Sequence, residues 1–232
     1  MTKQTASSEN ARPTHTVEDY LMNMQVMERD QGEIVAARLA EMMNVAPPTV
    51  AMTLKRMERD HWITGTGRKA VHLTETGRAA AHSVIRRHML TEWLLLRILK
   101  VPLPMIHDEA HGIEHALSPQ IEERLRVILD DPQVCPHGNP LPGYEYVVNQ
   151  WTPLTDLHAH DWVIIRRIHE FAENDVDLLN YLIENKIVPG VQVQVQDILP
   201  FNQTMTILVD SRPVTLGLQA ARYIFAEPLD PT

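Results

Sequence analysis

The chain has 232 residues, 44% of them hydrophobic, a net charge of −9 and one cysteine. That length holds one large domain or two to three small ones. No apolar run approaches the ~20 residues needed to cross a bilayer. The opening "MTKQTASSENARPTH" lacks the apolar core of a secretory signal, and one cysteine excludes an internal disulfide framework. The expectation is a cytoplasmic protein.

In chain order, residues 1–15 read as a disordered N-terminus, polar and without periodicity. From Thr16, taken as a cap with Asp19 in the first turn, Val17, Tyr20, Leu21, Met24 and Met27 recur at helical steps. "GEIVAARLAEMMNVAPPTVAMTLKRMERDHWI" reads as two short helices broken at "NVAPP", with Pro48 starting the second and Val50, Leu54 and Met57 on its apolar face. "WITGTGRKAVHLTETG" then carries two β-prone runs around "GTGRK", a hairpin pattern. Helix, turn, helix and hairpin predict a winged helix-turn-helix over 16–80.

Charge supports a basic surface there. Residues 50–90 hold eight Lys/Arg against three acids, whereas 101–232 hold seven against nineteen. Screening confines charge effects to about 10 Å, so a local basic face on an acidic molecule can still collect phosphates.

A long helical pattern follows over 77–100 and ends at "VPLP". Two further helices cover "IHDEAHGIEHAL" and "PQIEERLRVIL", and the helical region is assigned to 81–143. The Pro- and Gly-rich "CPHGNPLPGYEYV" leads into a linker placed at 144–158. The period then changes to two. "WVIIRRI", "VQVQVQDI", "MTILVD", "RPVTLG" and "ARYIFAEP" predict five short strands, with the helix "DVDLLNYLIENKI" after the first, which suggests a small all-β barrel over 159–232. The fold class is thus a mainly α N-terminal part with a C-terminal all-β domain.

The stretch with chemistry is residues 106–117, with three histidines and three acids in twelve positions. On a helix of 100° per residue, His107, His111, Glu114 and His115 share one face. His107 and His115 are about 12 Å apart along the axis, so one ion cannot take both. His111, Glu114 and His115 can converge on one ion, and His107 belongs elsewhere. His88 and Glu92, at i and i+4 on the preceding helix, offer a second imidazole–carboxylate pair. Two metal sites are expected. "HGIEH" also matches H-x-x-E-H, which leaves a zinc-dependent hydrolase on His111, Glu114 and His115 as the alternative function. That chemistry needs a third protein ligand and an open position.

"PPTVAMTLKRMERD", "LTETGR", "RRHMLTEWLL", "IHDEAHGIEH", "SPQIEERL" and "CPHGNPLPG" together resemble the diphtheria-toxin-repressor family of metalloregulators, with its iron- and manganese-responsive branches. The resemblance covers nearly all of 16–232. It implies a metal-dependent transcriptional repressor and not an enzyme, a homodimer on double-stranded operator DNA, and a C-terminal SH3-like (FeoA-like) barrel. No membrane and no small-molecule substrate is implied. The primary metal site would use Asp19, His111, Glu114 and His115; Met22, one turn from Asp19, is either a weak thioether ligand or a helix-core residue. The ancillary site would use His88, Glu92 and His107, with Glu170 and Glu173 from the C-terminal domain. The iron branch has Met at the position of Asp19 and Cys at that of His111; the manganese branch has Asp at the former and Glu at that of Met22. This chain follows neither. Its imidazole–carboxylate set suits Mn(II) or Fe(II), with Co(II), Zn(II) or Ni(II) able to substitute in vitro.

In the DNA-reading module the helix from Pro48 would enter the major groove. Thr49, Thr53, Arg56 and Arg59 are expected at phosphates, Arg68 or Lys69 of the wing at the backbone or minor groove, and Pro48 and Met52 at thymine methyls. Part of the long helix is expected in the dimer interface. Cys135 reads as structural, and His82, His137, His158, His160 and His169 receive no role.

Overall fold

The computed structural model describes residues 12–66, 70–173 and 175–229. The chain divides into two compact units between Ile85 and Arg86.

The first unit runs through α1 (His15–Gln31), α2 (Ala36–Met42), α3 (Pro47–Arg59), β1 (Ile63–Thr64), β2 (His72–Leu73) and the start of α4 (Glu75–Trp93). The apolar steps of α1 face inward, with Val17, Tyr20, Leu21, Met24 and Met27 buried. The helix begins before the expected Thr16 cap: Thr14 holds the N-cap position, and Gly32 ends the helix at φ 76°. Prolines at the first two positions preset the backbone of α3. β1 and β2 pair antiparallel, Ile63 opposite Leu73. Glu58 ties the wing to α3, its carboxylate accepting from the amides of Gly65 and Thr66 at 3.1 Å each. The "LTETGR" motif acquires a reason at Gly77, where a Cβ would lie 1.9 Å from the Trp62 carbonyl oxygen. Arg78 reaches Gln25 Oε1 at 3.0 Å and Glu28 Oε2 at 2.5 Å, fixing the start of α4 on α1.

The second unit takes the rest of α4, a π-helical turn over Leu94–Ile98, α5 (Ile106–Ile113), a 3₁₀ turn over Glu114–Ala116 and α6 (Pro119–Ile128). Ser118 caps α6 by accepting from the Ile121 amide. Leu95, Ile106 and Ala110 pack together where α4 meets α5. An antiparallel sheet follows, made of β3 (Thr152–Pro153), β4 (Trp162–Ile168), β5 (Gln192–Leu199), β6 (Thr204–Val209), β7 (Arg212–Gly217) and β8 (Ile224–Pro228). Its order is β3-β8-β4-β5-β6-β7. Two helices, α7 (Glu170–Glu173) and α8 (Val176–Glu184), interrupt it after β4, and a short α9 (Leu218–Ala221) precedes β8. Alternate residues of β4 to β7 enter one core with Leu154, Leu179, Leu182 and Ile224.

The structure departs from expectation in one place here. β3 lies inside the stretch read as a linker, and Thr152 pairs with Ala226. A two-residue strand carries too little alternation to be seen in sequence. No helix among the described residues is long and apolar enough to cross a membrane.

Candidate metal centre

Three segments of the second unit bring imidazoles and carboxylates together: α4, α5 with its 3₁₀ extension, and the loop Cys135–Asn139, backed by α7. A 3₁₀ turn over Glu114–Ala116 ends α5 between His111 and His115. After Ile113 the chain tightens, and Glu114 turns inward to complete burial, with His111 and His115 on either side.

Glu114 is 0% exposed. His111 Nδ1 lies 3.3 Å and His115 Nε2 3.5 Å from its Oε1, and His88 Nδ1 makes a short contact with Oε2. Burial alone would raise this carboxyl, but hydrogen bonds from His111 and His88 overcome it and hold Glu114 at about 2. Burial likewise opposes charge on His88, yet Glu114 and Glu92 raise it to about 9.

The other edge of His88 faces a second cluster. His88 Nε2 is 3.1 Å from His107 Nδ1 and 3.3 Å from Glu92 Oε1. His107 Nδ1 is 3.4 Å from Glu92 Oε1 and 3.0 Å from Glu173 Oε2. Glu92 is wholly buried, and neither of its oxygens has a hydrogen bond of good geometry. Burial pushes its carboxyl up, but His137 charge and contacts from His107, His137 and His88 bring it well below the usual carboxylate range.

Ligand atoms of His88, Glu92 and His107 lie within 4.8 Å of one another. Around an ion with bonds of about 2.0–2.2 Å, neighbouring ligand atoms stand roughly 3.0–3.5 Å apart. The spacings above fall in that range. Buried carboxylates among imidazoles without full hydrogen bonding are also what a divalent cation satisfies. The residues fit a metal.

Two expected residues stand differently. Arg167 Nη2 donates to Glu170 Oε2 at 2.9 Å, so a guanidinium holds that carboxylate in place of the histidine cluster. Glu173, one helical turn on, is the α7 carboxylate at His107. Asp19 and Met22 are half-buried, one turn apart on α1 of the first unit.

Sequence reasoning missed Cys135 and His137. Glu92, Cys135 and His137 form a further set with ligand atoms within 4.8 Å, and all three are buried. Gly138, at φ 89°, makes the sharp turn that aims them inward; a Cβ there would lie 2.0 Å from the Arg166 carbonyl oxygen. Asn139 clamps the same loop, donating to the Ile168 carbonyl at 2.8 Å and accepting from Arg167 Nε at 2.5 Å. Its Nδ2 also makes a short contact with Glu173. Trp93 Nε1 donates to the Val134 carbonyl at 2.7 Å, tying the loop to α4. The available signal was the C-x-H spacing in "CPHGNP", masked by its Pro and Gly.

On α3, Pro48, Thr49, Arg56 and Arg59 are exposed, and Met52 is 67% exposed. Thr53 is the correction: it lies three residues after Val50 and four before Met57, which puts it on the buried face. Arg59 is engaged by Asp60 at 2.7 Å. Arg68 and Lys69 lie outside the described residues.

Residues 13–71 match the N-terminal DNA-binding domain of iron-dependent repressors, 74–143 their metal-binding and dimerisation domain, and 152–228 the FeoA domain. The iron-dependent repressor IdeR of Mycobacterium tuberculosis is 33% identical over 223 residues, covering 91% of this chain and 96% of that protein. The diphtheria toxin repressor of Corynebacterium diphtheriae is 32% identical over 191 residues, 78% of this chain and 84% of that one. A manganese-dependent transcriptional repressor in complex with manganese superimposes with a TM-score of 0.79 at 28% identity, covering 92% of this chain and all of that one. ScaR with bound zinc gives 0.77 at 27% identity, over 94% of this chain and 100% of that one. These relatives are repressors, not enzymes, which overturns the hydrolase alternative for His111, Glu114 and His115. The chain belongs to the diphtheria-toxin-repressor family of metal-dependent, DNA-binding transcriptional repressors.

Proposed function

We propose that this protein is a cytoplasmic homodimer that binds operator DNA when Mn(II) or Fe(II) joins Asp19 of α1 to His111, Glu114 and His115. The ion would order the N-terminal helix and fix the spacing of two α3 helices in the dimer. Met22 offers a thioether beside Asp19. The observation that carries this reading is Glu114: a wholly buried carboxylate held ionised among three histidines. The relatives' metals, iron in IdeR by its name and manganese or zinc in the solved structures, support a divalent transition ion.

The second cluster, at His88, Glu92 and His107, takes an ancillary ion with Glu173 as the contribution of the C-terminal domain. α3 presents Pro48, Thr49, Met52 and Arg56 to the major groove. Ile98, Leu99 and Met105, exposed after the long helix, provide apolar contact for the second copy. Gel-shift titration of the protein's own upstream DNA with Mn(II), Fe(II), Co(II) and Zn(II), with and without chelator, tests the reading. Retardation that appears with metal and vanishes with chelator is expected; retardation indifferent to both contradicts it.

A further inference from the structure

We infer that the ion pair between Glu28 and Arg78 is the joint that carries metal occupancy at Asp19 to the DNA-reading elements, with Arg78 as its positioning residue. This rests on reading Asp19 as a metal ligand and goes beyond it by naming the contact through which α1 acts on the wing and α3.

α1 is one uninterrupted helix from His15 to Gln31. Asp19 near its start and Glu28 near its end are about 13 Å apart along the axis, so a pull at one is felt at the other. Leu21, Met24 and Met27 seat the helix in the core of the first unit, each wholly buried. Apolar packing of this kind is non-directional and sets the position along the axis only weakly. The Arg78 fork sets it. Its Nη1 donates to Gln25 Oε1 at 3.0 Å, and its Nη2 lies 2.5 Å from Glu28 Oε2, so one planar group grips two residues a turn apart. Gln25 is buried and Glu28 half-buried, which limits screening of the pair by salt.

The far side of the joint leads to the wing. His72 Nδ1 of β2 stands 3.6 Å from Glu28 Oε1. Beside Arg78, the Gly77 amide donates to Thr74 Oγ1 at 2.9 Å, and Thr74 Oγ1 donates to the His61 carbonyl at 2.7 Å. These two bonds bind the start of α4 to the stem of the hairpin. β1 pairs with β2, and Glu58 of α3 accepts from the Gly65 and Thr66 amides at 3.1 Å each. Directional contacts therefore run from Glu28 through Arg78 and the hairpin to α3. Two ligands are coupled when both bias one element, here the position of α1.

Fluorescence anisotropy of labelled upstream DNA, with Mn(II) and with chelator, tests the joint in wild type, Arg78→Ala, Glu28→Gln and Arg78→Lys. Metal should tighten the wild type by about a hundredfold and Arg78→Ala and Glu28→Gln by about tenfold or less. Arg78→Lys keeps a charge opposite Glu28 and should recover most of the tightening. Coupling is reciprocal, so DNA should also tighten Mn(II) binding less in the two weakened variants, while their Mn(II) affinity without DNA stays that of the wild type. A merely structural loss would lower that affinity too, and such a result overturns the inference. Full metal-driven tightening in Glu28→Gln overturns it as well. So does a loss confined to Arg78→Ala, which would make Arg78 a direct phosphate contact. Should Arg78→Ala fail to fold, Glu28→Gln alone decides. A wild type that does not respond to metal would instead overturn the proposed function.

Discussion

Replacing Glu114 with glutamine keeps the size of the side chain and removes the charge that three histidines surround. Its carboxyl stands at about 2 against an ordinary 4.5, which corresponds to about 3 kcal/mol. Glu114 is lowered by His111 first and by His88 next; the His88 contact, together with Glu92, also raises His88 from 6.5 to about 9, so the two shifts overlap and are not added. The sign follows from each partner. A lowered carboxyl contributes fully above 4.5 and loses its contribution as pH falls through about 2; a raised imidazole contributes fully below 6.5 and loses it as pH rises through about 9. The stabilisation is therefore largest between about pH 4.5 and 6.5. Urea unfolding of chelated wild type and Glu114→Gln at about pH 6 should differ by about 3 kcal/mol. At roughly 1–3 kcal/mol per molar urea, that is a midpoint shift of about 1–3 M. The difference should shrink above about pH 9. Equal midpoints at about pH 6, or a gap unchanged at alkaline pH, would refute the assignment of Glu114 as the charge that organises this cluster.

Metal loading should also expel protons: His88 is protonated below about 9, and an ion taking Nε2 must displace that proton. A weakly buffered titration at about pH 7.5 should release about one proton or more per ion, and silence would contradict the ligand role. Arg56→Ala, on the exposed face of α3, should weaken binding to all DNA sequences and lower the salt slope by about 1. Thr53→Ala, on the buried face, should leave that slope unchanged. Gly138→Ala forces a Cβ against the Arg166 carbonyl at 2.0 Å; urea unfolding should show the fold destabilised by more than about 1 kcal/mol.

Much of the site was legible because helices write their faces into local spacing. His88 with Glu92, and His111 with Glu114 and His115, are three and four residues apart, and their clustering needs no tertiary knowledge. The split of His107 from His111 and His115 followed from helix rise alone. What could not be read depends on partners far along the chain. His137 and Cys135 become part of the cluster only because Gly138 turns against β4 and Asn139 is clamped by Arg167 and Glu173. Glu170 and Glu173 look equivalent in sequence, but Arg167 claims the first. Thr53 was assigned to DNA by its residue type, although its spacing from Val50 and Met57 already put it on the core face.

The most direct measurement is fluorescence anisotropy of labelled upstream DNA with the wild type and Asp19→Ala, each with saturating Mn(II) or Fe(II) and again with chelator. If an ion bridging Asp19 to His111, Glu114 and His115 locks the DNA-binding form, an ion held at 100 times its dissociation constant stabilises that form by ~2.7 kcal/mol, so the wild type should tighten by about a hundredfold. Asp19→Ala should then bind the same weakly with and without the ion. Equal metal-driven tightening in both proteins would contradict the bridge.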